Sequence, residues 1–321
     1  MIEINKKLVQ NLINEQFPQW KDLVIEPVAK SGHDNRTFHL GSKMTVRLPS
    51  GKGYAAQVEK ELTWLPYLQK HLTMTISSPI AKGYPSCGYP FSWSINKYIE
   101  GDTLTKQNIN NLNEFADDLA KFLKEFQKID TTNGPQAGLH NYYRGGDLAV
   151  YHNETIEALE NLKTVLPTEL LLKIWQRALN ASVSDLNVWV HGDIAPGNLL
   201  VKNGKLAAVI DFGVLGVGDS SCDYAMAWTF FEEESRQRFL RKLDQGMIDR
   251  ACGWALWKAL ITYNSDEADV RKMLNIQSMK FIKDEKNLVK SKFFYPFCSI
   301  LSNALITSQQ KLFWLCLILR K

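Results

Sequence analysis

One sheet-like island, at residues 187–211, interrupts a long helical pattern in this chain, and it constrains the fold more than any other feature. With the two residues that follow, it reads NVWVHGDIAPGNLLVKNGKLAAVIDFG. Asn203-Gly204 between two apolar runs is a type I′ hairpin signal, because both central positions of that turn need φ > 0. Pairing the strands about this turn sets Leu200 near Ala207 and Asn198 near Val209. Asn198 opens the first strand and Asp211 ends the second, so both emerge at the same end of the hairpin. Asp193 precedes Asn198 by one tight loop containing Pro196 and Gly197. Two carboxylates and an amide therefore converge, an arrangement that is costly without a cation or a shared proton. A hard cation such as Mg²⁺ answers it, held by one or two carboxylates together with phosphate oxygens.

Around the island the pattern is mixed. Leu8, Val9, Leu12, Ile13 and Phe17 recur at helical spacing, and Pro18 closes that helix. Residues 23–48 read as three short strands, LVIEPVA, TFHL and MTVRL, the last two joined by Gly41-Ser42-Lys43. A helix from about Tyr54 to His71 carries Val58, Leu62 and Leu65 on one face, with Pro66 kinking its last turns. Residues 75–91 are rich in Pro, Gly and Ser and read as loop; WSINKYI reads as another strand. Leu112, Phe115, Leu119, Phe122, Leu123, Phe126 and Ile129 form a helical stripe that predicts core packing. A Gly-rich loop follows at 131–147, and helical patterns resume from Glu154 to Ala181. The expected class is α+β, with a small sheet and one crossing helix first and a larger helical part after it.

His-x-Asp-x₄-Asn, with Asp-Phe-Gly beginning thirteen residues after the Asn, is the catalytic-loop and metal-binding signature of kinases. In that chemistry Asp193 accepts or orients the proton of a substrate hydroxyl, while Asn198 and Asp211 hold Mg²⁺ on the phosphates. His191, close against the backbone turn, is read as hydrogen-bonding the loop. HGDIAPGN, IDFG and the following GVGDSSCDYA resemble the aminoglycoside phosphotransferase family, which is related in fold to eukaryotic protein kinases. The resemblance covers roughly residues 8–288. It implies a bilobal protein-kinase-like fold, with a nucleotide-binding lobe at 1–97 and a helical catalytic and substrate-binding lobe at 98–288. An apolar, cationic tail at 289–321 falls outside the family pattern.

The resemblance also assigns a nucleotide site. Arg47, in MTVRLPS, matches the basic residue for the α/β-phosphates, and Glu61, in VEKEL, matches the acid that pairs with it. Many members carry Lys there; Arg adds a planar fork, so the exchange is not neutral. The loop SGHDNR looks like the phosphate-covering turn without G-x-G-x-x-G, with Gly32 and Asn35 letting backbone amides approach phosphate. The strand ending in Lys97-Tyr98-Ile99 resembles the hinge, where backbone groups of Lys97 and Ile99 meet the purine of ATP or GTP. Asp219 reads as an N-cap and Asp223 as a second structural support. The run Phe230–Glu234 reads as a solvated face in preference to a site for polycations.

The implied reaction moves the γ-phosphate of Mg-ATP or Mg-GTP onto a small-molecule hydroxyl. The acceptor is an aminoglycoside or macrolide antibiotic, or else a metabolite such as an amino alcohol or sugar. A non-catalytic nucleotide-binding scaffold is the alternative; the intact set Arg47, Glu61, Asp193, Asn198 and Asp211 argues against it. Between Asp211 and Asp223 there is no activation segment of protein-kinase length, which disfavours protein substrates. A net charge of +4, with Lys and Arg scattered among acids, leaves no nucleic-acid footprint. The odd number of cysteines and the absence of Cys-x-x-Cys predict reduced thiols in a cytoplasmic protein. The N-terminus lacks an apolar leader, and no predominantly apolar run reaches the ~20 residues that span a bilayer. The tail is expected to pack against the helical lobe, in preference to touching a membrane surface or being a non-native ending.

Overall fold

The computed structural model describes residues 3–263 apart from 30, 31, 33 and 184–186. The tail at 289–321, and its expected packing, lie outside the described residues, as does the stretch 264–288. The described residues belong to one compact unit, Met1–Asp266.

Helix α1 (Lys6–Gln16) starts where the Asn5 side chain accepts from Leu8 N. The strands β1 (Ile25–Pro27), β2 (Asn35–Leu40) and β3 (Met44–Pro49) follow, then helix α2 (Lys52–Gln69) with Pro66 inside it. Beyond α2 come β4 (Thr75–Ile76), β5 (Pro79–Gly83) and β6 (Trp93–Lys97). A five-stranded sheet takes the order β1-β2-β3-β6-β5. The segment 75–91, expected to be loop, thus contains two strands. Both are short, and β5 begins on a proline at the sheet edge, where a missing N–H is tolerated.

Side-chain alternation gives this sheet two unlike faces. Phe38, Leu40, Val46, Leu48 and Ile95 join Val9, Leu12 and Ile13 of α1 in one buried cluster. Register then fixes the other face: Thr37 pairs with Arg47, His39 with Thr45, and Thr45 with Asn96. Those five polar side chains all line one cleft. Burying each apolar partner contributes about 1.5–3 kcal/mol, so a one-residue slip that reversed the faces is strongly opposed.

A second sheet, ordered β4-β10-β9-β7, contains β7 (Asp102–Thr103) and the hairpin β9 (Leu199–Lys202) and β10 (Lys205–Val209). Asn203 and Gly204 both have positive φ, 54° and 75°, as a type I′ turn demands. The register differs from the simple pairing by one residue. Leu206 opposes Val201, but Leu200 opposes Ala208, and Ala207 is the extra residue of a bulge. Asn198 O consequently accepts from Ile210 N at 2.9 Å.

The helical part contains α3 (Leu112–Phe126), α4 (His152–Asn161), α5 (Thr168–Leu179), α6 (Met226–Thr229), α7 (Glu233–Leu240) and α8 (Gln245–Thr262). The Asn111 side chain caps α3 by accepting from Asn113 N and Glu114 N. The stripe Phe115, Leu119, Phe122, Leu123, Phe126 is buried, as the pattern predicts. Helix α8 is buried around most of its circumference, the expected state for a helix that is apolar on all sides. Strands β8 (Val188–Val190) and β11 (Gly216–Gly218) pair antiparallel and bracket the segment between His191 and Leu215. Among the described residues, no helix is long and apolar enough to cross a membrane.

Candidate active site

A cleft of about 710 Å³ is lined by Gly32, Asn35, Arg47, Lys97, Ile99, Asn198 and Asp211, among others. Glu61 lies behind Arg47, and Asp193 lies beyond Asn198. Asn198 Nδ2 donates to both the Asp193 carbonyl and Asp193 Oδ2, each at 2.9 Å. Fixing the amide nitrogen this way turns Asn198 Oδ1 to the opposite side.

Arg47 projects from the polar face of the first sheet. Its Nη1 donates to both oxygens of Glu61 on α2, at 3.1 and 2.9 Å, and its Nη2 to Asp211 Oδ1 at 2.9 Å. Burial pulls the guanidinium down in pKa, but Glu61 and Asp211 outweigh it and hold the group charged. Burial likewise pushes Glu61 up, against the pull of Arg47. Asp211 sits at φ 63°, a left-handed conformation that Asp adopts more readily than most residues. Its amide donates to Ser77 Oγ at 3.4 Å.

The segment from His191 to Asn198 is fastened from beneath. His191 is fully buried. Its Nδ1 accepts from Asp193 N at 3.2 Å and its Nε2 contacts Ile210 O at 3.1 Å. An amide donor on one nitrogen and a carbonyl on the other fix the Nε2–H tautomer. Burial pushes the imidazole down in pKa, which keeps it neutral. Gly192 has φ 83°, and a Cβ there would meet Val214 O at 2.7 Å and Arg144 Cβ at 2.9 Å, so only glycine fits. Asp223 accepts from His191 N at 2.9 Å and from Gly192 N at 2.7 Å. Asp219 caps the turn at Ser220–Tyr224 and pairs with Arg250 at 2.7 Å.

Asp223→Ala strips two buried amides of their acceptor and is expected to lower stability by about 2–3 kcal/mol. Burial raises the Asp223 carboxyl to about 7. Between the unfolded value and about 7 the folded protein therefore binds the extra proton, and stability falls as pH rises. The deficit of the variant should be larger at pH 5 than at pH 8 in urea unfolding. An equal deficit at the two pH values would mean that Asp223 is held ionised.

Several neighbours of the site left no mark in the sequence. Lys258 on α8 donates to Asp193 Oδ1 at 2.8 Å. The Arg144 guanidinium lies over Trp257 and Trp254, 4.6 and 5.3 Å from their ring centres. Burial pushes Asp193 up, but the Lys258 ammonium, with Arg144 farther off, outweighs it and holds the carboxyl below its usual range. The Lys97 amide donates to Ser78 O at 2.8 Å, so that amide is already engaged within the protein. A side chain at Gly32 would meet nothing within 4 Å, so the protein's own packing gives no reason for that glycine. The run 230–234 divides. Phe230 and Phe231 are buried, while Glu232 pairs with Lys106 and Glu234 with Arg238.

No cluster of three or more His, Cys, Asp or Glu among the described residues forms a ready cation cage. One carboxylate and one amide oxygen on a common cleft wall match what Mg²⁺ takes from protein when phosphates complete its shell. Asp211 and Asn198 Oδ1 fit that donor set.

This combination of a β-rich N-terminal region, a helical part and an Asp-Asn-Asp cleft is that of the protein-kinase-like phosphotransferases. The chain belongs to the phosphotransferase enzyme family APH, which it matches over residues 24–257. It is 25% identical over 193 residues to the uncharacterized protein YcbJ of Bacillus subtilis (strain 168), covering 56% of this chain and 57% of that one. The match therefore spans less than two thirds of that relative's length. In fold it is similar to the GDP complex of wild-type aminoglycoside 2'-phosphotransferase-IIIa. The TM-score is 0.65 at 18% identity, over 88% of this chain and 100% of the other. Macrolide 2'-phosphotransferase type I gives 0.57 at 16% identity, over 88% and 99%.

Proposed function

We propose that this chain transfers the γ-phosphate of ATP or GTP to a hydroxyl of a small molecule. The observation that carries the reading is the convergence of Asp193, Asn198 and Asp211 with the Arg47–Glu61 pair around one cleft. The nucleotide occupies the cleft, its purine against the Lys97 carbonyl and the Ile99 amide, its phosphates near Gly32 and Asn35. Arg47, oriented by Glu61, meets the α/β-phosphates with its fork. Asn198 and Asp211 hold Mg²⁺, which when bound neutralises phosphate charge. Asp193, held ionised, orients the acceptor hydroxyl and takes its proton. Residues 1–97 form the nucleotide lobe and the helical residues after them supply the acceptor side. Solved structures similar in fold include complexes described with kanamycin and with streptomycin and ATP, which makes antibiotics the first acceptors to try.

The test is ADP and GDP release by the purified protein with Mg²⁺, across aminoglycosides, macrolides and hydroxyl-bearing metabolites. Asp193→Asn and EDTA serve as controls. Release that depends on one compound and vanishes in both controls is the expected result. Tight Mg-nucleotide binding with no release from any compound would favour a non-catalytic scaffold.

A further inference from the structure

Asp193 has two carboxylate oxygens, and the structure commits them differently. Oδ2 accepts from Asn198 Nδ2, so Oδ1 is the oxygen left for an acceptor proton. Lys258 Nζ sits on that oxygen at 2.8 Å, reaching it from α8, 65 residues away in sequence. Both side chains are well exposed, 44% for Lys258 and 39% for Asp193. A pair this wet adds little to fold stability, so stability does not explain it.

The pair is nonetheless held in place. Trp254 lies one turn before Lys258 on the same face of α8, at a spacing of four residues, and Trp257 precedes Lys258 directly in sequence. Both rings pack against the Arg144 guanidinium, and the Arg144 stem lies against Gly192, next to Asp193. Helix α8 is therefore clamped to the catalytic loop beside the ion pair. The base of Lys258 is fixed, while its four-carbon stem lets the ammonium shift by a few ångströms.

We propose that Lys258 is a catalytic residue that passes from Asp193 to the phosphoryl group in transit. This inference rests on the phosphotransfer reading above. In the step, an acceptor oxygen lone pair attacks the terminal phosphorus and forms the new P–O bond. The bond from that phosphorus to the bridging oxygen breaks, its electron pair going to the nucleoside diphosphate. The acceptor proton goes to Asp193 Oδ1. Protonation cancels the carboxylate charge that Lys258 had balanced, at the moment when the transferred group's oxygens need a cation on the acceptor side. The ammonium exchanges one anionic partner for the next, opposite Arg47 across the phosphates. A cation held beside the reacting groups on a fixed helix needs less reorganisation than one recruited from solvent.

The probe is hydrolysis of Mg-ATP and Mg-GTP, with water standing in for the acceptor. Lys258→Ala should lower kcat by about 10²-fold, with nucleotide affinity within about twofold of wild type, while Lys258→Arg keeps a larger share of the rate. Thermal unfolding of both variants checks that α8 is intact; Lys258→Arg keeps the test valid if the alanine variant melts early. An unchanged or increased kcat in Lys258→Ala would overturn the proposal, as would a fall fully explained by weaker nucleotide binding. Failure of the underlying reading looks different. There the wild-type protein would not bind Mg-nucleotide, or Asp193→Asn would hydrolyse as fast as wild type, and both inferences would go together.

Discussion

Asp193→Ala should lower turnover by about 10²–10⁴-fold, the range for losing a positioned general base, with nearly unchanged stability. The stability half of that expectation comes from its contacts. Asn198 Nδ2 keeps its bond to the Asp193 backbone carbonyl at 2.9 Å, so the loop retains its internal tie. Lys258 loses its partner but is exposed enough to be solvated, so no buried charge is stranded. His191 still receives the backbone amide of residue 193. The measurement pairs steady-state release of nucleoside diphosphate with urea unfolding. Near-full activity would remove Asp193 from the chemistry. A large loss of stability would make any activity loss uninterpretable as a catalytic effect, and Asp193→Asn would then be the variant to compare.

Arg47→Ala is expected to act in the opposite proportion, on both the fold and the nucleotide. Glu61 is only 5% exposed, and Arg47 donates to both of its carboxylate oxygens. Removing one member of a buried pair costs about 3–5 kcal/mol because the other charge is left in a poor solvent. Glu61 has an escape, since burial already pushes its carboxyl up and loss of Arg47 pushes it further. Once protonated, it no longer bears the charge. Folded Glu61 then binds a proton that unfolded Glu61 releases, so the variant loses stability as pH rises above the ordinary carboxyl range. Urea unfolding should show a larger deficit at pH 8 than at pH 5. Arg47→Met with Glu61→Leu should be less destabilised than the single change, because both charges leave together. In kinetics, the nucleotide KM should rise more than the acceptor KM. The reverse order would move Arg47 away from the phosphates.

How legible the site was depends on how its residues come together. The faces of the first sheet follow from alternation along TFHL and MTVRL, so the orientation of Arg47 away from the apolar cluster was readable once the strands were. The one-residue bulge at Ala207 was not, because nothing local distinguishes Ala207 from Ala208. Strand β4 escaped notice for a similar reason. Two residues carry no periodicity, and their strand character comes from parallel pairing with β10, which brings Ala208 opposite Thr75. That pairing carries the chain to Ser77, whose hydroxyl meets the Asp211 amide.

The sequence by itself determined the Asp193-Asn198-Asp211 constellation. A short loop and a type I′ hairpin bring these residues to one end of a local unit, and turn chemistry written in Asn203-Gly204 enforces that geometry. It also determined the helical core stripe, because apolar spacing has only one way to be buried. Only the tertiary structure decided what surrounds that constellation. It set Lys258 on Asp193, Arg144 between Gly192 and α8, and Asp223 under the His191-Gly192 amides. Those contacts join segments separated by long stretches of chain. Their distances are set by helix packing and by which buried polar groups must find partners, and neither leaves a local signal in the residues themselves.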